Sequence, residues 1–281
     1  MTEIIDGKKI ASEIREKLCE AINKLDIKPK LAIILVGNDE PSAIYVRNKQ
    51  KYAAQIGIDT QLLKLDESAD EDEVLKIIRD CNQDDTINGV IIQLPLPQHL
   101  NMHRIINSIS PLKDVDGFHP YNTGKLQNNE KPYFVAATPL GIMKLLQSVC
   151  PNLSGKNAVI IGASLIVGRP LATLLLNQDC TVTVTHIHTQ NIQDIAKQAD
   201  ILVAACGVAK LVKKDWIKPG AILIDVGINR EEDKICGDID FDEAEKIAGA
   251  ITPVPGGVGP MTIAMLLQNT FYAYFRQKQD L

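Results

Sequence analysis

Short, unbroken apolar runs alternate along this chain with segments whose apolar residues recur at helical spacing. That alternation restricts the chain to an α/β fold on parallel sheet, because strands flanked by crossover helices are buried on both faces and read as continuous hydrophobic runs. Leu31-Ala-Ile-Ile-Leu-Val36 is such a run, and Gly89-Val-Ile-Ile-Gln-Leu94 is another, stopped by Pro95 and Pro97. Ile10, Ile14, Leu18, Ala21, Ile22 and Leu25 predict an opening amphipathic helix. Pro41 to Ile56 predicts a helix with proline in its first turn, Thr60–Leu65 a weaker strand, and Glu71–Cys81 a helix presenting Val74, Ile77, Ile78 and Cys81 on one face. Residues 111–139 show no period and mark a domain boundary near their end, where Thr138-Pro139 is expected to cap and open a helix reaching Val149. A second series follows, with strands expected at Ala158–Ile161, Thr181–Thr185, Ile201–Ala205 and Ala221–Val226, and helices at Ile166–Asn177, Ile192–Ala199 and Phe241–Ile247. Residues 251–260 are too punctuated for either element, and Met261 opens a final helix reaching about Phe275. The expectation is two lobes, each a mostly parallel sheet with flanking helices. Residues 1–138 form the first, and residues 139–260 form a Rossmann-like second.

With 281 residues, 45% of them hydrophobic, the chain can bury cores for two domains. Its net charge of −5 and lack of basic blocks argue against nucleic-acid or anionic-membrane partners. Six cysteines stand singly, with no Cys-x-x-Cys pair, and read as thiols in a reducing compartment. The first nine residues are polar and lack the apolar core of a signal peptide, and no run approaches membrane-spanning length. These features predict a cytoplasmic globular protein.

The expected strand Ala158–Ile161 runs into Gly162-Ala-Ser-Leu-Ile-Val-Gly168-Arg-Pro and then a helix. Glycines there permit a tight turn, and a helix N-terminus offers free N–H groups to a pyrophosphate. The spacing departs from Gly-x-Gly-x-x-Gly, with Ser164 in the middle position. The next strand ends in Thr185-His186-Ile187-His188, where an NAD site usually carries an acid for the ribose hydroxyls. None stands there, which favours NADP over NAD, with His186, His188 or Arg169 available to meet the extra phosphate. His186 and His188 lack the neighbouring acids or cysteines of a metal site.

Tyr45 and Lys49 lie one turn apart on the same helix and project from one face. Surface exposure is the ordinary fate of a lysine. As a base it must lose about 3 pKa units by burial or nearby positive charge, and as a cation it stabilises negative charge. Tyr-x-x-x-Lys also occurs in short-chain dehydrogenases, but there it follows the glycine loop, whereas here it precedes it. Gln93 sits at a strand's C-terminal end, where open α/β sheets bind ligands. Asp114-Val-Asp116-Gly117 resembles the start of a calcium loop, yet the twelfth position from either acid is Lys125 or Gln127, which argues against calcium. An anchored carboxylate there suits an NH-rich heterocycle. Pro253-Val-Pro-Gly-Gly-Val-Gly-Pro260 is apolar and stiff, as befits a constrained loop passing close to a ligand.

Together these segments resemble the bifunctional methylenetetrahydrofolate dehydrogenase/cyclohydrolase family. The resemblance rests on Pro41-Ser-x-x-Tyr45-Val-x-x-Lys49, Gln93-Leu-Pro-Leu-Pro97, Lys113-Asp-Val-Asp-Gly117, Gly162-x-Ser-x-Ile166-Val-Gly168-x-Pro170, Asp225-x-Gly-Ile-Asn229, Gly237-Asp238 and Ile251-Thr-Pro-Val-Pro-Gly-Gly-Val-Gly-Pro-Met-Thr262. It implies two lobes flanking a cleft, a homodimer, and a C-terminal helix over residues 261–281 that returns to the first lobe. It implies oxidation of 5,10-methylenetetrahydrofolate with NADP, then hydrolysis of the methenyl product to 10-formyltetrahydrofolate, within one-carbon metabolism and purine biosynthesis. Lys49 becomes the central catalytic residue. Tyr45 stacks on folate, Gln93 tunes Lys49, and Asp116 holds the pterin. Pro255, Gly256 and Gly257 line the folate site, and Gly162, Ala163, Ser164 and Ile228 contact the cofactor, beside Ile166, Gly168, Arg169, Thr185 and His186. Two positions depart from the family: Ala136-Ala137 replaces a frequent Pro-Cys pair, and Ile187 stands where a basic or hydroxyl residue is common. The competing expectations are a two-lobed shikimate- or amino-acid-type dehydrogenase, a monofunctional dehydrogenase, and a non-catalytic nucleotide sensor.

Overall fold

The structure, a computed structural model, describes residues 2–232 and 234–279. In chain order the elements are β1 (Glu3–Ile4), α1 (Gly7–Ile22), β2 (Lys30–Val36), α2 (Glu40–Gln55), β3 (Asp59–Leu65), α3 (Glu71–Gln83), β4 (Gly89–Ile92), α4 (Met102–Ser108), α5 (Pro120–Gln127) and α6 (Ala137–Val149). They continue with β5 (Asn157–Ile161), α7 (Gly168–Leu176), β6 (Thr181–Thr185), α8 (Ile192–Ala196), β7 (Ile201–Ala204), β8 (Ile222–Asp225), β9 (Asn229–Glu231), β10 (Lys234–Cys236), α9 (Phe241–Ala244), β11 (Ala250–Ile251) and α10 (Val258–Gln279). Two compact units result. One holds residues 13–137 and those from Ile263 onward, and the other holds residues up to Ser12 with Thr138–Thr262.

In the first unit, β2 lies between β3 and β4, all parallel, with Ile34 opposite both Leu63 and Ile92. From Leu31 onward β2 is apolar because both of its faces are covered. Ala32, Ile34 and Val36 join Val74, Leu75 and Ile78 of α3 in a buried cluster. A capping box starts α3: Asp70 accepts from the Glu73 N–H at 2.9 Å, and Glu73 accepts from the Asp70 N–H at 3.2 Å. Residues 111–139, irregular by sequence, contain α5, which buries little beyond Asn122 and Leu126 and so leaves no apolar period.

The second unit carries a parallel six-stranded sheet in the order β1-β11-β8-β7-β5-β6. Val159, Ile161, Leu202, Ala204, Leu223 and Ile251 supply one buried face. β1 pairs with β11 here, so the chain's first residues belong to this sheet and not to the lobe beginning at residue 1 that the sequence suggested. Two further details differ. Thr138 lies inside the first turn of α6 and does not cap it, its hydroxyl sharing a 2.9 Å hydrogen bond with that of Thr262. The final helix starts at Val258, before Pro260, since proline's missing N–H costs nothing in a first turn. No helix among the described residues is long and apolar enough to cross a membrane, and all six cysteines are free thiols.

Candidate active site

Helix α2 brings a lysine into the interior. Asp39 caps it, accepting from the Ser42 N–H at 2.9 Å, and Pro41 occupies the first turn. One turn past Tyr45, Lys49 is only 6% exposed, and its Nζ donates to Gln93 Oε1 at 3.1 Å while standing 6.0 Å from the Tyr45 ring centre. Gln93 is fixed just past β4. Its backbone N–H donates to Ile34 O at 2.9 Å, and its side-chain Nε2 donates to Leu94 O at 2.8 Å, which leaves Oε1 for the lysine. Burial lowers the Lys49 pKa from the usual lysine value, and the Asp116 carboxylate opposes that shift. Burial raises the Asp116 pKa in turn, with Lys49 acting against it. Burial also raises the Tyr45 phenol, which stays neutral as a flat, largely apolar surface. The four residues singled out in the first lobe thus converge.

The turn that follows the half-buried Asp116 is fixed by a neighbour not counted among the candidate site residues. Asp114 is 1% exposed. Its Oδ1 accepts from the N–H groups of Gly117 and Phe118, both at 3.2 Å, and its Oδ2 accepts from the His119 N–H at 2.8 Å and Asn122 Nδ2 at 2.9 Å. Burial pushes its pKa up to about 7, against those hydrogen bonds. The signal was present: an Asp followed by a turn that ends in Gly favours this side-chain-to-backbone wrapping.

In the other unit, β5 ends at Gly162, whose N–H donates to Thr185 O at 3.0 Å. A Cβ on Gly162 would fall 2.1 Å from Ala205 O, and one on Gly168 would fall 1.9 Å from Gly162 O, so both positions need glycine. Ser164 Oγ accepts from the N–H groups of Val167 (3.1 Å) and Gly168 (3.3 Å), closing the turn onto α7. Among the described residues, the amides of Ala163, Ser164, Leu165 and Ile166 have no hydrogen-bond partner. Consecutive unpaired amides before a helix N-terminus fit a pyrophosphate.

Residues 5–116 match the tetrahydrofolate dehydrogenase/cyclohydrolase catalytic domain, and residues 136–278 match the NAD(P)-binding domain of the same enzymes. The chain belongs to the tetrahydrofolate dehydrogenase/cyclohydrolase family. It is 52% identical to the bifunctional protein FolD of Listeria innocua over 97% of both chains. The Campylobacter jejuni FolD crystal structure superposes with a TM-score of 0.96 at 46% identity, covering 100% of both chains. The Trypanosoma brucei methylenetetrahydrofolate dehydrogenase-cyclohydrolase, solved with NADP and an inhibitor, gives 0.95 at 36% identity, covering 99% of each. Family membership displaces the shikimate- and amino-acid-type alternatives.

The remaining sequence-derived residues all lie in the second unit. Arg169 is exposed and its Nε donates to Ala163 O at 3.1 Å. Thr185 is buried with its hydroxyl donating to Ile160 O at 3.2 Å, which makes it a strand anchor. His186 and His188 are exposed, with ring centres 5.9 Å apart, and His186 Nδ1 accepts from the His188 N–H at 3.2 Å. Ile187 between them is 94% exposed, and Ile228 is 56% exposed. Pro255 is exposed, Gly256 accepts from the Lys8 N–H at 2.8 Å, and Gly257 is buried. Pro255, Gly256 and Gly257 belong to the unit that holds the glycine loop, whereas Lys49 belongs to the other.

Proposed function

We propose that the chain oxidises 5,10-methylenetetrahydrofolate to 5,10-methenyltetrahydrofolate with NADP and then hydrolyses the product to 10-formyltetrahydrofolate. The observation that carries this reading is a buried lysine bonded to Gln93 and electrostatically paired with Asp116, in a chain that also holds a dinucleotide-type glycine loop.

The free amides of Ala163–Ile166 would hold the cofactor's pyrophosphate, with Gly162 and Gly168 allowing close approach. His186 and Arg169 are the available partners for the 2′-phosphate, and Ile228 offers apolar contact. NADP supplies a hydride acceptor when bound, and the substrate's own nitrogen stabilises the cation left behind, so this half needs little acid–base help from the chain. The second half needs proton management. Asp116 would accept hydrogen bonds from the pterin, and Tyr45 would stack against it. Water forms a C–O bond at the methenyl carbon and gives up a proton to the neutral Lys49 amine, whose lowered pKa makes that form accessible. Lys49 returns that proton to N5 as the bond from the carbon to N5 breaks, and the carbinol O–H releases its own proton to solvent as the formyl C=O forms on N10. Gln93 Oε1 keeps the amine aimed.

The same reading makes the chain a cytoplasmic homodimer serving purine biosynthesis. The family resemblance supports this. The test is an assay of methylenetetrahydrofolate oxidation run in parallel with NADP and with NAD. Reduced cofactor is expected, faster with NADP, with formyl product following. Cofactor binding without turnover would mean a sensor instead.

A further inference from the structure

We infer that Asp238 is the positioning residue of the dinucleotide site, a buried carboxylate that ties together the loops leaving β7 and β8 without itself reaching the cofactor. The inference rests on the NADP reading above and extends it to a residue with no assigned role.

Asp238 is 0% exposed. Its Oδ2 accepts from two successive amides at the exit of β7, Cys206 N–H at 2.7 Å and Gly207 N–H at 2.9 Å. Its Oδ1 accepts from Asn229 Nδ2 at 2.8 Å, next to the exposed Ile228. Donors face both oxygens, so a carboxylate is called for, because an amide would turn its own NH2 group toward a donor at one of the two positions. Asp238 is itself clamped by a second carboxylate. Asp225, at the end of β8, accepts from the Asp238 N–H at 2.8 Å, the Ile239 N–H at 2.9 Å and the Gly227 N–H at 3.1 Å.

The two acids occupy space that side chains would otherwise fill. A Cβ on Gly227 would lie 2.0 Å from Asp238 Oδ1, and one on Gly237 would lie 1.8 Å from Asp225 Oδ2. The β7 exit also touches the glycine loop directly, since Ala205, just before Cys206, is the residue whose carbonyl closes on Gly162. A continuous path of packed backbone therefore runs from Asp238 through Cys206 and Ala205 to Gly162, and a second runs through Asn229 to Ile228. The same charge bears on the neighbouring thiol: burial, with Asp238 acting in the same direction, pushes Cys206 up to about 12, so the sulfur stays protonated beside the loop.

The test uses the full chain with Asp238→Asn. The KM and Kd for NADP are expected to rise about tenfold or more, the effect of removing a buried charge-assisted network, with kcat at saturating NADP within about threefold of wild type. Hydrolysis of added methenyltetrahydrofolate, measured without NADP, keeps most of its rate. The pH midpoint for alkylation of Cys206 falls, because the anion beside the thiol is gone. Asn229→Ala cuts only the tie beside Ile228 and is expected to weaken NADP several-fold, so it decides the matter if Asp238→Asn fails to fold. NADP affinity unchanged in both variants would overturn the inference alone, as would parallel loss of both activities in a folded Asn229→Ala chain. A wild-type chain that binds no NADP would overturn the functional reading with it.

Discussion

At the scale of single residues, the chemistry depends on how strongly Lys49 is driven toward neutrality. Burial lowers its pKa, and Asp116 opposes that shift. Gln93 Oε1 accepts its proton and so favours the charged form. Gln93→Ala therefore moves the Lys49-controlled limb of the hydrolysis pH profile to lower pH, and Gln93→Glu, by adding an anion, moves it to higher pH. Measuring kcat/KM for methenyl hydrolysis against pH checks both signs, and coincident limbs would remove Gln93 from the mechanism. The same burial has a stability consequence. A lysine whose folded pKa lies below its unfolded value makes the unfolded state bind more protons, so its contribution is present above the unfolded pKa and lost as pH falls through the folded one. At neutral pH, Lys49→Met is thus expected to raise the denaturation midpoint while harming catalysis, a trade common at functional sites. Tyr45, Lys49, Gln93 and Asp116 were legible because their spacing and strand-end placement are local. The role of Asp238 was not, because it comes from burial and from the backbone donors of Cys206 and Gly207, brought in by folding.

At the scale of elements, the sequence exposed what depends on apolar periodicity and concealed what does not. β2 is read directly from its unbroken run, since both faces are buried, and α3 from its one-sided stripe. Helix α5 and the β9–β10 hairpin escaped notice. α5 buries few residues, and the paired strands Asn229–Glu231 and Lys234–Cys236 are too short and polar to alternate. Two substitutions test the elements themselves. Ile34→Ala, in the middle strand of its sheet and fully buried, should cost about 2–5 kcal/mol in denaturant unfolding. Gly168→Ala drives a methyl to 1.9 Å from Gly162 O and should disrupt the turn carrying the free amides. Nucleotide titration should then show NADP affinity reduced by more than tenfold, while retained affinity would mean that the amides of 163–166 do not hold the pyrophosphate.

At the scale of the whole molecule, the chain passes between two compact units at residues 12–13, 137–138 and 262–263. The sequence pattern captured two parallel-sheet units but placed the first residues in the wrong one, because β1 is two residues long and its partner β11 is separated from it by nearly the whole chain. The lysine site belongs to one unit and the glycine loop to the other, so ligands should act on stability through distinct residues. NADP at about 100 times its Kd should add about 2.7 kcal/mol to the unfolding free energy of the wild-type chain and much less in Gly168→Ala. The most direct test of the account is one time course, following cofactor reduction and methenyl absorbance together during turnover of methylenetetrahydrofolate with NADP. The wild-type chain should pass through to formyl product, and Lys49→Met should still reduce NADP while methenyl compound accumulates, its hydrolysis slowed roughly 10²–10⁴-fold. Methenyl hydrolysis by Lys49→Met at the wild-type rate would contradict the account.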